Sequence, residues 1–140
     1  MAEALYLEII TPAKIVYKGN IESITISGVK GSFQVLKNHA PLISVFEIGL
    51  VKVKENVNTT KYFATGGGTV EVLNNNVLVL ADSLEAVDEI DVERARRAKE
   101  RAMERLTHKT EDTDIERARV ALARAVNRLN LVEKHIRAEV

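Results

Sequence analysis

EAVDEIDVERARRAKER, residues 85–101, divides the chain into two halves of different character. No arginine precedes this stretch, and all ten arginines fall between Arg94 and Arg137. Upstream, apolar residues alternate in short runs, the period of half-buried strands. Downstream, alanine and charge recur three and four residues apart, the period of a helix. The stretch therefore reads as a hinge, at about 83–89, running into a helix N-terminus. A domain is expected over 1–84 and a second over 85–140.

Working downstream, Asp91 is placed to cap a helix that runs to about Leu106, with Ala95, Ala98, Ala102 and Leu106 as its apolar stripe. His108 and Lys109 suit the negative end of its dipole. After a short connection at 110–112, Thr113 with Glu116 has the form of a capping box. Ile115, Ala118, Leu122, Ala125, Leu129, Val132 and Ile136 then recur at intervals of three and four, as in a coiled-coil seam. The short connection makes the two helices antiparallel neighbours. Alanine faces permit close approach but bury little apolar area, so such a hairpin is weakly held and can open.

Working upstream, residues 3–10 read as a strand broken at Thr11-Pro12, and Gly19-Asn20 as a turn. Residues 21–27 (IESITIS) alternate, 28–31 form a loop, and 32–36 form a short strand ended by His39-Ala40-Pro41. Strands at 42–46 and 49–53 flank Glu47-Ile48. A strand at 61–64 is followed by a bend at Gly66-Gly67-Gly68. A last hairpin pairs 70–73 with 77–81 across three asparagines. The triple glycine has neither the lysine nor the following helix of a phosphate loop. Many short strands and then two helices predict an N-terminal antiparallel β-sandwich followed by a C-terminal antiparallel two-helix hairpin.

Composition narrows the function. The 140 residues carry no net charge, which argues against bulk nucleic-acid or membrane-surface binding. The absence of cysteine excludes disulfide and thiolate chemistry. His39, His108 and His135 have no metal-ligand spacing, so no metal is expected. No apolar run approaches the roughly 20 residues of a membrane span, and no signal-peptide pattern opens the chain. A soluble protein, joined to a membrane only through a partner, is the expectation.

The residues that carry chemistry are arginines. Arg94 and Arg101, seven apart, share one face of the first helix about 10 Å apart. Arg124 and Arg128, four apart, flank the seam of the second. Folding the hairpin brings four guanidinium groups together, an arrangement that repels itself and that a polyanion such as a nucleotide triphosphate relieves. Glu85 and Asp91 are suited to accept from an adenine amino group or a ribose hydroxyl. The alternative is a solvated surface on which these arginines pair with Glu93, Glu100, Glu104 and Glu133. No Ser/His/Asp arrangement or metal motif supports catalysis.

Three segments resemble the epsilon subunit of bacterial F-type ATP synthases. They are Gly28-x-x-Gly31 leading to Asn38-His39-Ala40-Pro41-Leu42, the Gly67-Gly68 bend, and Ile90-Asp91-Val92-Glu93-Arg94-Ala95. The resemblance implies a non-catalytic stalk subunit at the cytoplasmic face of the cell membrane. Its sandwich would bind the gamma subunit and the ring of c subunits, with rotor contacts at Gly31, Ser32 and His39. Its hairpin would bind ATP as a regulatory ligand through Glu85, Ile90, Asp91, Arg94, Ala95, Arg101, Arg124 and Arg128. With ATP the hairpin would fold compactly against the sandwich. Without ATP it would extend along gamma, meet the alpha and beta subunits and block hydrolysis. Ser32 and Gln34 depart from the acidic residue and glycine usual at those positions. A permanently folded hairpin that binds no nucleotide is the alternative within the family, and a small nucleotide-processing enzyme with Glu85 or Asp91 as base the alternative outside it.

Overall fold

A computed structural model describes residues 4–28 and 31–136; Val29, Lys30 and Arg137 lie outside the described residues. The chain forms two compact units that divide between Ala86 and Val87.

The first unit holds eight strands. They are β1 (Leu5–Ile10), β2 (Ile15–Ile21), β3 (Ser23–Gly28), β4 (Gly31–Leu36), β5 (Leu42–Asn56), β6 (Thr59–Leu73), β7 (Asn76–Ala81) and β8 (Leu84–Ala86). Hydrogen bonding orders them β2-β1-β7-β6-β5-β3-β4, with β8 also pairing β6. The long β5–β6 hairpin belongs to both layers of the sandwich. Leu42–Phe46 pairs with Gly68–Val72, which continues into β7, while Val51–Lys54 lies between β3 and the first half of β6. Between the layers lies a core of fully buried Leu7, Ile9, Ile24, Ile26, Val35, Val51, Val53 and Val79, with Phe46 and its neighbours.

The sheet differs from the expectation in three respects. The strands expected at 42–46 and 49–53 are one strand, and those at 61–64 and 70–73 are another that runs straight through the glycines. Gly66-Gly67-Gly68 bends the hairpin without ending it. Gly67 holds φ 102°, and Gly68 comes so close to β7 that a Cβ there would lie 2.0 Å from the Leu80 carbonyl oxygen. Gly19-Asn20 is no turn: both residues pair within β2, opposite Leu7 and Tyr6. The sandwich is mostly antiparallel, but β1 pairs with β7 in parallel.

The second unit opens with a 3-10 turn, Val87–Glu89, then α1 (Val92–Thr107) and α2 (Ile115–His135). Asp91 caps α1, accepting from the Arg94 N–H at 3.0 Å. The capping box expected from Thr113 does not form. Asp114 caps α2 through the Arg117 N–H at 3.0 Å, and Thr113 Oγ1 instead accepts from the Thr110 N–H inside the connecting loop. A carboxylate one residue later competes better, because it is charged and lies nearer the positive end of the helix dipole. The helices pack on one another, and Ala95, Ala102, Ala118 and Ala125 are the buried residues along their shared length. Leu131 and Val132 are buried farther along α2, which also contacts the turn carrying the buried Val87. Ile136, expected in the seam, is 36% exposed.

Candidate anion-binding site

The buried alanines fix the orientation of every other side chain on the hairpin. Arg94, Arg101 and Arg124 each immediately precede a buried alanine, and Arg128 follows Ala125 by three positions. In an α-helix these offsets turn a residue by about 100° and 60° to the same side of the seam. In two antiparallel helices that side is shared, so all four arginines lie on one flank of the hairpin. The connection at 108–114 sets Arg94 roughly level with Arg128, with Arg124 and Arg101 following within about two turns.

Glu93 and Glu104 do not neutralise this flank. Glu93 pairs with Arg96, and Glu104 takes His108 at 3.4 Å. Among the described residues, Arg94, Arg101 and Arg124 have no ion pair. Arg94 and Arg101 are exposed, whereas Arg124 and Arg128 are partly buried. Arg124 Nε is buried without a hydrogen-bond partner. A buried guanidinium N–H left unsatisfied costs free energy that an incoming anion would recover. The flank therefore has the donors, the charge and one unmet hydrogen bond to receive a polyphosphate.

The remaining expected residues divide between the two units. Asp91 spends one carboxylate oxygen on its cap, beside the buried Ala95, and Ile90 is half-buried just before it. Glu85 belongs to β8, in the first unit, where Ala64 is its partner across the strands. The segment read as a hinge thus contains a strand and a 3-10 turn. No group of three or more His, Cys, Asp or Glu among the described residues is placed to hold a metal.

The residues expected to touch the rotor are not gathered into one patch. Gly31 and Ser32 open β4, whereas His39 lies beyond its far end. Six residues of strand put the two ends of β4 about 17 Å apart. The extended strand between them sets Ser32 and His39 at opposite ends of β4. A surface that the sequence did not reveal lies across five strands. Val45, Thr69, Leu80, Ile10 and Ile15 are successive partners in one row facing away from the core. Val45 is 71% exposed, and Ile15 and Leu80 about half exposed, with Ile43 beside them on β5. Each residue comes from a different strand, so no local pattern marks the row.

Two family models match consecutive parts of the chain. The ATP synthase delta/epsilon chain β-sandwich domain covers residues 4–87, and the long α-helix domain of the same chain covers residues 88–133. This chain belongs to the ATP synthase epsilon chain family. The ATP synthase epsilon chain of Syntrophomonas wolfei is 40% identical over 113 residues, 80% of this chain and 82% of the relative. That of Pelotomaculum thermopropionicum is 45% identical over 104 residues, 74% of this chain and 77% of the relative. Among solved structures, a chain of the Euglena gracilis mitochondrial ATP synthase (OSCP/F1/c-ring) matches 96% of this chain and 83% of its own length. Its TM-score is 0.79 at 20% identity. A chain from the central stalk and c-ring of the Tetrahymena thermophila enzyme matches with a TM-score of 0.57 at 17% identity, covering 95% and 96%. At these identities the likeness is one of fold.

Proposed function

We propose that this protein is the epsilon subunit of the central stalk of a proton- or sodium-ion-translocating F-type ATP synthase, and that its hairpin is an ATP-responsive brake on hydrolysis. It is peripheral, at the cytoplasmic face of the cell membrane, and it is not itself a catalyst. Among the described residues no helix is long and apolar enough to cross a membrane. The sandwich binds gamma and the c-ring. The exposed apolar row from Val45 to Ile15 supports this, because gamma would cover a face that is costly to leave in water.

The hairpin reading rests on the arginine flank, and above all on the unsatisfied, buried Nε of Arg124. Arg94, Arg101, Arg124 and Arg128 would hold the phosphates by charge-assisted hydrogen bonds. Glu85, Ile90, Asp91 and Ala95 would complete the site. ATP favours the closed hairpin because only closure brings both pairs of arginines onto one flank. A ligand shifts the balance only by its differential affinity for the two states. Without ATP the like charges favour separation, and the alanine seam offers little apolar area to resist it. The opened helices would extend along gamma and present the same arginines to acidic surfaces of the alpha and beta subunits.

Calorimetric titration of the whole chain with ATP, beside Arg124→Ala, tests the proposal. Saturable one-to-one binding that Arg124→Ala abolishes is the expected result. Absence of binding at millimolar ATP would leave a structural stalk subunit with a permanently folded hairpin.

A further inference from the structure

Asn38 and Asn75 stand 37 positions apart, yet each is bonded to the other. The Asn38 backbone N–H donates to Asn75 Oδ1 at 2.6 Å, and Asn75 Nδ2 donates to Asn38 Oδ1 at 3.2 Å. Both residues hold left-handed backbone, φ 64° and φ 62°. Asn75 is anchored in turn, since its carbonyl accepts from the Tyr6 N–H at 2.8 Å at the start of β1. The loop from β4 to β5 is thereby tied to the turn between β6 and β7 and to β1. Next to Asn38, His39 is fixed by its own neighbours: its N–H donates to the Leu36 carbonyl at 3.2 Å and its Nδ1 meets the Ala40 carbonyl at 2.7 Å. A carbonyl accepts only, so this contact is made by an Nδ1–H, and Nε2 takes no part in it. Pro41, which has no N–H, closes the loop.

We infer that Asn75 is a positioning residue for a rotor-contact loop, its side-chain amide holding Asn38 so that His39 presents Nε2 to the partner. The inference rests on the reading that the sandwich docks on gamma and the c-ring. Nothing in the sequence near Asn75 points to it, because three consecutive asparagines between two strands have the form of an ordinary turn. The reciprocal bonds and the anchorage to β1 distinguish it from one. Two left-handed residues bridged in this way leave the loop few alternative conformations, and a preordered loop loses less entropy on docking.

The test is the affinity of the full chain for a purified complex of gamma with the c-ring. Asn75→Gly removes both amide bonds while keeping a residue at ease with φ 62°, so the fold is retained and thermal melting provides the control. Affinity is expected to fall on the order of tenfold, about the net contribution of one well-placed hydrogen bond. His39→Ala is expected to fall by a similar factor. The double variant should bind no more weakly than His39→Ala alone, since both act through one group. Asn75→Asp, which keeps the acceptor for the Asn38 N–H, should restore most of the affinity. Unchanged binding by Asn75→Gly would overturn the inference alone. So would losses that multiply in the double variant, or a loss in Asn75→Gly with none in His39→Ala. Failure of the unsubstituted chain to bind would overturn the docking reading, and the inference with it.

Discussion

The Tyr17 hydroxyl donates a 2.7 Å hydrogen bond to Glu55 Oε2, joining β2 to the far end of β5. Lys61 completes the group, 3.3 Å from Glu55 Oε1 and 5.5 Å from the centre of the Tyr17 ring. The Tyr17 bond holds the Glu55 carboxyl below its usual range, with Lys61 adding to the effect and burial opposing it. Burial, and then the Glu55 bond and charge, push the Tyr17 hydroxyl up. A lowered carboxyl stabilises the fold fully above its ordinary value of 4.5 and loses that contribution as pH falls through its folded value. A raised hydroxyl contributes fully below its ordinary value of 10.0 and loses its contribution as pH rises beyond it. Tyr17→Phe should cost about 1 kcal/mol near neutrality. In urea denaturation at a series of pH values, its deficit against the unsubstituted chain should narrow below pH 4.5.

Gly68 cannot carry a side chain. A Cβ there would meet Leu80 O at 2.0 Å and Ala81 Cα at 2.8 Å, both backbone atoms of the neighbouring strand. Relief requires β6 and β7 to separate where the sheet turns between layers. Gly68→Ala should destabilise the sandwich by about 3 kcal/mol or more, well above the usual range for a surface substitution. Thermal denaturation checks this, with Glu71→Ala on the same strand expected to change little.

The second helix depends on Asp114 rather than Thr113 for its start. Asp114→Ala should cost about 1 kcal/mol and raise amide exchange over the first turn of α2. Thr113→Ala should disturb only the loop bond to Thr110. If Thr113→Ala frays the helix more than Asp114→Ala, the assignment of the cap is wrong.

Asp91 has a structural duty that complicates its reading as a ligand residue, because its Oδ1 accepts from the Arg94 N–H. Asp91→Ala removes both the cap and any contact to a nucleotide. Asp91→Asn keeps an acceptor at the cap and discards the charge. Helix content in Asp91→Asn should match the unsubstituted chain, while ATP affinity should change if the carboxylate meets the adenine or ribose. Circular dichroism and calorimetry on the same samples separate the two effects.

The hairpin was largely legible from its sequence because its determinants are local. The seven-residue spacing of Ala95 and Ala102, repeated in Ala118 and Ala125, marks the seam, and the same spacing puts the arginines to one side of it. The sandwich was legible as strands but less so as a sheet. Glycine at 66–68 has the same composition whether it ends a strand or bends one, and only the backbone of Glu47 and Leu80 beside it decides. The parallel pairing of β1 with β7 and the bridge from Asn38 to Asn75 join residues far apart in the chain, which no local period encodes. His39 follows Gly31 by eight positions, yet the strand from Gly31 to Leu36 carries the two apart.

The central claim is that ATP closes the hairpin. The chain has no native cysteine, so Arg97→Cys on α1 and Arg119→Cys on α2 would be its only thiols, both at exposed positions. Electron–electron resonance between spin labels at these sites, in the full chain bound to gamma, measures the distance between the helices directly. One short-distance population at saturating ATP, giving way to a longer one as ATP is withdrawn, is the predicted result. An identical distance distribution with and without ATP would contradict it.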